Sequence, residues 1–225
     1  MAGTPNSNSG DAGKYLESAR KKNAGRDYCG AREDLNRAIE LEPENIELYC
    51  LRGELKVKMG KREAGFQDLQ HAIDLDPEEP KAYFARDLAY TVGGDGSFWS
   101  EGADYDAAIE DYSRITEILP DNPLAYYYRG MCKISSPDYP DTYAIDDFNK
   151  VLETNPEFVD ALTNRGVAKY RLGDYPGAYA DFHKAVEIEP KYDVAYFWRA
   201  KVKAQLNKFT RQDRLDDVSK AIEIA

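Results

Sequence analysis

Apolar residues in this chain recur at helical spacing, and prolines close the helical runs at regular intervals. Five runs end in AIELEP, AIDLDP, RITEILP, VLETNP and AVEIEP, and their prolines are separated by 34, 43, 36 and 34 residues. Proline disfavours helical backbone at the residue before it, so each run is predicted to be a helix that stops shortly before its proline. The chain is therefore predicted to repeat one structural unit several times.

Each predicted unit combines large and small residues in a fixed pattern. A large residue lies eight positions before each proline, an apolar residue lies five before, and Ala or Gly lies twelve before. An earlier helix carries a large residue at its fourth position, usually followed four residues later by Gly or Ala. Small residues opposite large ones at this spacing predict two helices packed closely as a hairpin. The fourth-position residues are Tyr15, Tyr49, Tyr83, Tyr126, Leu162 and Tyr196.

This pattern resembles the tetratricopeptide repeat (TPR) family, and the segment ALTNRGVAKYRLGDYPGAYADFHKAVEIEP, from Ala161, is the best match. The resemblance implies an all-α fold, a right-handed superhelical solenoid of about six helix-turn-helix repeats. Residues 12–225 are expected to form a single TPR domain after a small, polar leader at 1–11 that is predicted to be disordered. The sixth repeat reaches Ala225 before its expected proline, which suggests either a longer chain or pairing of this end with another chain. The repeats are expected near 12–45, 46–79, 80–122, 123–158, 159–192 and 193–225.

Composition narrows the class of protein further. The chain has 225 residues with 30 Lys and Arg and 41 Asp and Glu, a net charge of -11. Such an acidic chain argues against a nucleic-acid partner, because phosphates require clustered cations. No apolar run approaches the roughly 20 residues of a membrane span, so no membrane insertion is expected. The cysteines Cys29, Cys50 and Cys132 form no CxxC pair, which favours a reducing, cytoplasmic location.

Three consecutive tyrosines in LAYYYRG, from Leu124, suggest a binding surface. Tyr126 takes the core position, so Tyr127 and Tyr128 point about 100° and 200° away from it. The TPR resemblance implies that first helices line a concave groove, and equivalent positions in other repeats are also apolar or aromatic. Aromatic residues with Met and a few cations are typical of protein-binding hot spots. The predicted groove residues are Leu51, Phe84, Leu88, Tyr127, Tyr128, Met131, Asn164, Tyr170, Arg171, Phe197, Trp198 and Lys201.

An alternative reading of these positions is that the side chains pack against neighbouring first helices. It applies best to residues directly after the core position, such as Phe84 and Tyr127. Tyr128 and Trp198 lie one position further round and are harder to bury, so they are the stronger groove candidates. Lys81, with Arg171 and Lys201, is expected to supply polar or acidic recognition.

Arginine and aspartate also recur at fixed places. Each first-helix Arg from the second repeat onward lies 18 residues after the Asp of the preceding second helix, whereas the separation within a repeat varies. We therefore predict five structural Arg–Asp pairs between repeats. Capture of an anionic ligand by these arginines is the weaker alternative, because a guanidinium paired with a carboxylate is already neutralised.

The third repeat departs from the pattern in the insertion TVGGDGSFWSEGAD, from Thr91. This insertion loop carries Phe98 and Trp99, and it either packs on its own solenoid or docks a partner. Packing is favoured, because exposed tryptophan is unusual. Asp87 stands where a small residue is expected, and it should be paired because an unpaired buried carboxylate is costly.

Residues for catalysis or metal binding are not arranged in any recognisable pattern. His71 and His183 lie on predicted second helices, no Cys or His pair has metal-ligand spacing, and GGDG lacks the frame of a phosphate-binding loop. We therefore predict no enzyme activity, no metal site and no cofactor.

The clamp by which chaperone-binding TPR domains hold a terminal acidic peptide is also incomplete. Asn164 and Lys81 match it, but Leu51, Ala85, Val194 and Trp198 occupy its other positions. The sequence thus predicts a protein–protein interaction scaffold or adaptor that binds a peptide or helix of a partner in an aromatic-rich concave groove. The alternative is a self-associating assembly module, a homo-oligomer, whose groove is filled by its own loop or by another protomer.

Overall fold

The computed structural model describes residues 7–91 and 104–225, and these residues form α-helices and no β-strand. The chain divides into two compact units, Met1–Leu119 and Pro120–Ala225, and each contains three consecutive helix pairs. The all-α fold of paired helices is confirmed. The first unit contains α1 (Ser7–Ala24), α2 (Tyr28–Leu41), α3 (Ile46–Lys58), α4 (Arg62–Leu75), α5 (Pro80–Thr91) and α6 (Tyr105–Ile118). The second contains α7 (Pro123–Ser135), α8 (Asp141–Thr154), α9 (Val159–Arg171), α10 (Tyr175–Ile188), α11 (Asp193–Gln205) and α12 (Arg211–Ile224).

The first helices of the later repeats, α3, α5, α7, α9 and α11, begin at the residues where the sequence places the repeat starts. The first repeat differs, because α1 begins at Ser7 and residues 7–11 of the predicted leader are helical. An ion pair of 2.8 Å between Lys14 and Asp11 lies on this early part of the helix, where such a pair stabilises helical backbone. The extent of a single domain from residue 12 to 225 stays a prediction.

Polar caps and prolines set the helix ends. The side chain of Asn122 accepts hydrogen bonds from the backbone N–H groups of Leu124 and Ala125, and Pro123 occupies the first helical position, where a missing N–H costs nothing. Asp174 caps α10 in the same way through the N–H of Gly177. At the other end, α2, α4, α6, α8 and α10 each stop two residues before the proline of their repeat.

Small residues on the first helix of a hairpin receive large residues of the second. A Cβ added at Gly130 would lie 2.9 Å from the ring of Phe148, and one added at Gly166 would lie 2.8 Å from the ring of Phe182. Both phenylalanines are fully buried. The large-and-small pattern in the sequence therefore records how closely the two helices of a hairpin approach.

Gly65→Ala is expected to lower the stability of the first unit by about 1–3 kcal/mol, because it overpacks the α3–α4 contact. The added Cβ would lie 2.8 Å from the backbone oxygen of Gly53 and 2.7 Å from Cγ2 of Val57. Urea denaturation followed by circular dichroism measures the change. Gly13→Ala is the matched control and should be neutral or stabilising, since a Cβ there meets nothing within 4 Å and alanine favours helix. Unchanged stability of Gly65→Ala would contradict the close approach of α3 and α4.

The first-helix arginines pair with the Asp of their own repeat, so the prediction of Arg–Asp pairs between repeats is wrong. Each Arg uses Nε and Nη2 to reach both oxygens of a buried carboxylate on the second helix of its hairpin. The 18-residue spacing across repeats follows from the repeat itself and carries no information about contact. The pairs are Arg52–Asp68, Arg86–Asp111, Arg129–Asp147, Arg165–Asp181 and Arg199–Asp217, at 2.5–2.7 Å.

The same arginines still connect successive repeats, through the nitrogen that the Asp leaves unused. Nη1 of Arg52 donates to the side-chain oxygen of Asn36 at 2.9 Å, and Nη1 of Arg165 donates to that of Asn149 at 2.8 Å. Both acceptors lie two residues after the Asp of the preceding second helix. Each guanidinium therefore holds its own hairpin together and also touches the previous one.

A lysine four residues after the Arg adds a second cation to each buried carboxylate, a feature that the sequence reasoning missed. In the second unit, Lys169 lies 2.8 Å from Asp181, which Arg165 also contacts. The four-residue spacing places Arg and Lys on one helix face and could have revealed this. The third repeat has Tyr90 at the lysine position. The corresponding pairs elsewhere are Lys22–Asp34, Lys56–Asp68, Lys133–Asp147 and Lys203–Asp217.

Candidate functional site

The first helices of the second unit, α7, α9 and α11, contact each other in that order. Residues at the same position of each helix therefore form a row, and Tyr128, Asn164 and Trp198 each lie one residue before the paired arginine. Tyr128 is 37% exposed, and Asn164 and Trp198 are half-buried. We call this row, with its neighbours Tyr127, Met131, Tyr170 and Lys201, the aromatic face.

Tyr127 is held in a hydrogen-bonded network at one side of the aromatic face. Asn164 Nδ2 donates to the carbonyl oxygen of Asp160 at 2.9 Å and to the hydroxyl of Tyr127 at 3.4 Å. The hydroxyl of Tyr192 donates to Asp160 Oδ1 at 2.7 Å. Burial raises the pKa values of Tyr127 and Tyr192, so both hydroxyls stay protonated at neutral pH. The Tyr127 ring also packs 5.0 Å from that of Phe158, so this tyrosine serves packing as well as surface.

Asp160, Tyr192 and Phe158 are absent from the sequence-predicted site. Phe158 and Tyr192 directly precede the helices α9 and α11, and Asp160 lies in the first turn of α9. The sequence reasoning examined only positions near the middle and end of the first helices. Tyrosine or phenylalanine before a first helix was the available signal.

Trp198 lies at the other side of the aromatic face, where it is partly enclosed. Its ring stacks on Phe182 at a centroid distance of 6.2 Å and meets Tyr170 edge-on at 5.6 Å. The ammonium of Lys201 lies 4.6 Å from the Trp198 ring and 4.8 Å from the ring of Phe197, which is a cation–π arrangement. The structure thus brings these predicted residues together, but Trp198 is less exposed than Phe197.

The remaining predicted residues of the second unit differ in exposure. Met131 is half-buried and packs against the core of the unit. Arg171 is exposed, and its Nη1 donates to the carbonyl oxygen of Ile134 at 2.8 Å, with Asp141 at 3.5 Å. Arg171 therefore already ties α9 to the end of α7.

The first unit presents a different face. Leu51 is half-buried and borders a small open pocket with about 220 Å³ of empty space, which Arg20 and Asn23 border on the polar side. Phe84 is half-buried, and its ring lies 6.0 Å from that of Tyr112. Three predicted residues lie outside the described residues: the side chain of Leu88, and Phe98 and Trp99 of the insertion loop.

Charged residues also cross this face of the first unit. The carboxylate of Glu47, on α3, accepts hydrogen bonds from Arg20 of α1 at 2.8 Å and from Lys81 of α5 at 2.6 Å. The hydrogen bond from Lys81 holds the pKa of Glu47 below its usual value. Burial raises the pKa of Glu54, one helical turn beyond Leu51. Lys81, which the sequence assigns to recognition, is therefore engaged in an ion pair.

Asp87 is paired through the hydroxyl of Tyr112. Burial raises the pKa of Asp87 to about 6, the hydrogen bond from Tyr112 acts in the opposite direction, and the neighbouring charge of Asp111 adds to the increase. The structure therefore places a carboxylate that titrates near neutral pH in the third repeat.

The cysteines and acidic clusters give no chemical centre in the parts of the chain that the structure describes. Burial raises the pKa of the Cys50 thiol to about 12, which keeps it protonated. Across residues 7–91 and 104–225, no group of three His, Cys, Asp or Glu side chains is placed to hold a metal ion. None of the described helices has the length and apolar character needed to cross a membrane.

Consecutive helix pairs, with small residues of one helix against large residues of the other, define a helical-repeat protein. Models of the tetratricopeptide repeat match residues 46–79 and 159–192, the segments that contain α3–α4 and α9–α10. The chain belongs to the tetratricopeptide repeat family.

Solved structures share this fold. A tetratricopeptide repeat protein from Parabacteroides merdae ATCC 43184 gives a TM-score of 0.75 at 21% identity, over 96% of this chain and 80% of that chain. YrrB, a TPR protein with an unusual peptide-binding site, gives 0.66 at 19% identity, over 84% and 91%. MamA gives 0.66 at 22% identity, over 89% and 97%. No curated protein sequence matches this chain.

Proposed function

We propose that this protein is a protein-interaction scaffold that binds a peptide or helix of a partner protein on the aromatic face of its second unit. The observation that carries the proposal is the exposed ring of Tyr128, which lies 5.3 Å from the ring of Tyr127 in the same row as Asn164 and Trp198. Tyrosine and tryptophan provide large contact areas at low entropic cost, and they dominate the energetics of protein interfaces.

The network beneath the face supports this role. Asn164 and Asp160 fix Tyr127 by hydrogen bonds, and Phe182 and Tyr170 fix Trp198 by packing, so these anchors are ordered before a partner arrives. Pre-ordered side chains lose little entropy on binding. Lys201, exposed at the edge, offers a cation to an acidic residue of the partner. In a TPR superhelix the first helices line the concave surface, and the peptide-binding site of YrrB is a precedent in the same fold.

A photo-reactive phenylalanine analogue at position 128 is expected to crosslink a partner protein that mass spectrometry can identify. The matched control carries the analogue at Tyr143, which is 53% exposed but lies on α8, a second helix. Position 143 should give no such product. Identical products from both positions would contradict the aromatic face as the binding surface, and a product with a second copy of this chain would favour the self-associating alternative.

Tyr128→Ala combined with Lys201→Glu is expected to weaken binding of that crosslinked partner by at least about tenfold, because an anchor is removed and a charge is reversed. Both side chains are exposed, so the far-ultraviolet circular dichroism should stay unchanged. Isothermal titration calorimetry with the purified partner measures the affinity. Equal affinity of the double variant and the wild type would refute the proposed function.

A further inference from the structure

The outer side of the last helix pair exposes a group of apolar residues that we call the terminal face: Phe197 of α11 and Leu215, Val218 and Ile222 of α12. Phe197 is 47% exposed and Ile222 is 74% exposed. Their counterparts in the preceding repeat, relative to the paired Arg and Asp, are Thr163 at 2% and Val186 at 6%. The terminal face is thus built from positions that are buried one repeat earlier.

Inside each unit the following hairpin covers these positions. Tyr179 of α10, the counterpart of Leu215, packs 4.8 Å from Phe209, which lies between α11 and α12. Phe66 of α4, at the same position, packs 4.7 Å from Tyr90 of α5. Exposure of the terminal face is therefore a departure from a repeated contact, and contiguous apolar surface of this kind marks an interaction site.

The internal contacts also show which helix fits such a face. The helix that covers it carries a buried apolar residue, an arginine four residues later, and another buried apolar residue three residues after that. The arginine donates through Nη1 to the residue two positions after the Asp of the covered hairpin. These helices carry Leu48, Arg52 and Leu55 in α3, Ala161, Arg165 and Ala168 in α9, and Ala195, Arg199 and Val202 in α11.

The terminal face retains the polar part of this contact. Ser219 lies two residues after Asp217, at the place of Asn36 and Asn149, and it is exposed. Asp216 and Glu223, three residues before and four after Ser219, are exposed on the same side of α12. An arginine on a docked helix would thus meet a hydroxyl acceptor flanked by two carboxylates.

A second copy of this chain does not supply the required helix. The first helix of the first repeat, α1, has Lys14, Ser18 and Lys21 at the three positions. Docking α1 on the terminal face would bury two ammonium groups against apolar side chains, which is costly. In α3, α9 and α11 the matching residues are already buried within their own units.

We propose that the terminal face docks an amphipathic α-helix of a partner protein, with a small apolar residue, an arginine four residues later and a second small apolar residue three residues after the arginine. Phe197, Leu215, Val218 and Ile222 contact the apolar residues, and Ser219 accepts from the arginine between Asp216 and Glu223. This surface is distinct from the aromatic face, and its test does not depend on the proposed function.

A synthetic peptide of residues 159–192 carries the required helix and serves as the probe. Fluorescence anisotropy should show saturable binding of the labelled peptide to the full chain. The matched peptide with Ala161→Lys and Ala168→Lys reproduces the α1 pattern and should bind at least about tenfold more weakly. The protein variant Ile222→Lys should show the same loss, whereas Leu172→Lys, which alters an exposed leucine at the end of α9, should bind like the wild type.

Circular dichroism of both protein variants should match the wild type, because both altered side chains are exposed. Absence of saturable binding, or equal binding of the two peptides, would overturn the proposal. Sedimentation velocity adds an independent outcome: a wild-type dimer that Ile222→Lys converts to monomer would show that a second copy occupies the terminal face, which would also overturn it. A monomer at all concentrations supports a partner helix.

Discussion

Asp181→Ala is expected to lower the free energy of unfolding of the second unit by about 3–5 kcal/mol, because it breaks a buried ion pair from one side. The Asp181 carboxylate is buried and lies 2.5 Å from Arg165 and 2.8 Å from Lys169. Alanine would leave both cations in a partly buried place without their anion. Urea denaturation followed by circular dichroism measures the loss, and Asp146→Ala, at an exposed position of α8, should stay within about 0.5 kcal/mol of the wild type.

Replacing the whole group should be far less damaging than removing its anion. The triple variant Arg165→Leu, Lys169→Met and Asp181→Leu leaves no unpaired charge, so its stability should lie much closer to that of the wild type. A triple variant as unstable as Asp181→Ala would indicate that the ion pair itself, rather than the penalty of an unpaired charge, provides the stability. A loss below about 1 kcal/mol in Asp181→Ala would contradict a structural role for this carboxylate.

Features that depend on local rules could be predicted from the sequence. The helices stop before Pro43, Pro77 and the later prolines because backbone sterics act at the neighbouring residue. The burial of Phe148 against Gly130 follows from helical spacing combined with size complementarity. Both rules involve residues whose relative positions are set by one helix or one hairpin.

The partners of the arginines could not be predicted from spacing. A repeat makes every equivalent pair equally spaced, so the 18 residues from Asp34 to Arg52 fit contact and non-contact alike. The direction in which the guanidinium leaves the helix decides the matter, and it leads to Asp68 in the same hairpin. The spacing within a hairpin varies with the connecting segment, while the packing of the two helices preserves the contact.

Exposure at the candidate site could be predicted only in part, because it depends on what covers each helix. Tyr128 is exposed, as its position round the helix suggests. Trp198, at the same position, is partly enclosed by Tyr170 and Phe182, whereas Phe197 is exposed at a position that is buried one repeat earlier. Side-chain position on a helix is local information, but burial is a property of neighbouring helices.

The third repeat should control how the stability of the first unit changes with pH. Burial raises the pKa of Asp87 to about 6, whereas an unfolded aspartate titrates near about 3.9. Between these values the folded chain binds a proton that the unfolded chain does not, so this group stabilises the fold as the pH falls below 6. That contribution is lost as the pH rises through about 6. The nearby cation, Arg86, is already engaged by Asp111.

Asp87→Asn is therefore expected to raise the free energy of unfolding of the first unit by up to about 3 kcal/mol near pH 7.5, and by much less near pH 4.5. Asparagine removes the charge and can still accept the hydrogen bond from Tyr112. Chemical denaturation of both proteins at the two pH values gives the difference, and subtraction removes the opposite contribution of Glu47, whose pKa is lowered by Lys81. Asp106→Asn, at an exposed position of α6, should show no such dependence. An equal gain at both pH values would mean that Asp87 is not buried as a charge, since only titration of this carboxylate makes the gain depend on pH.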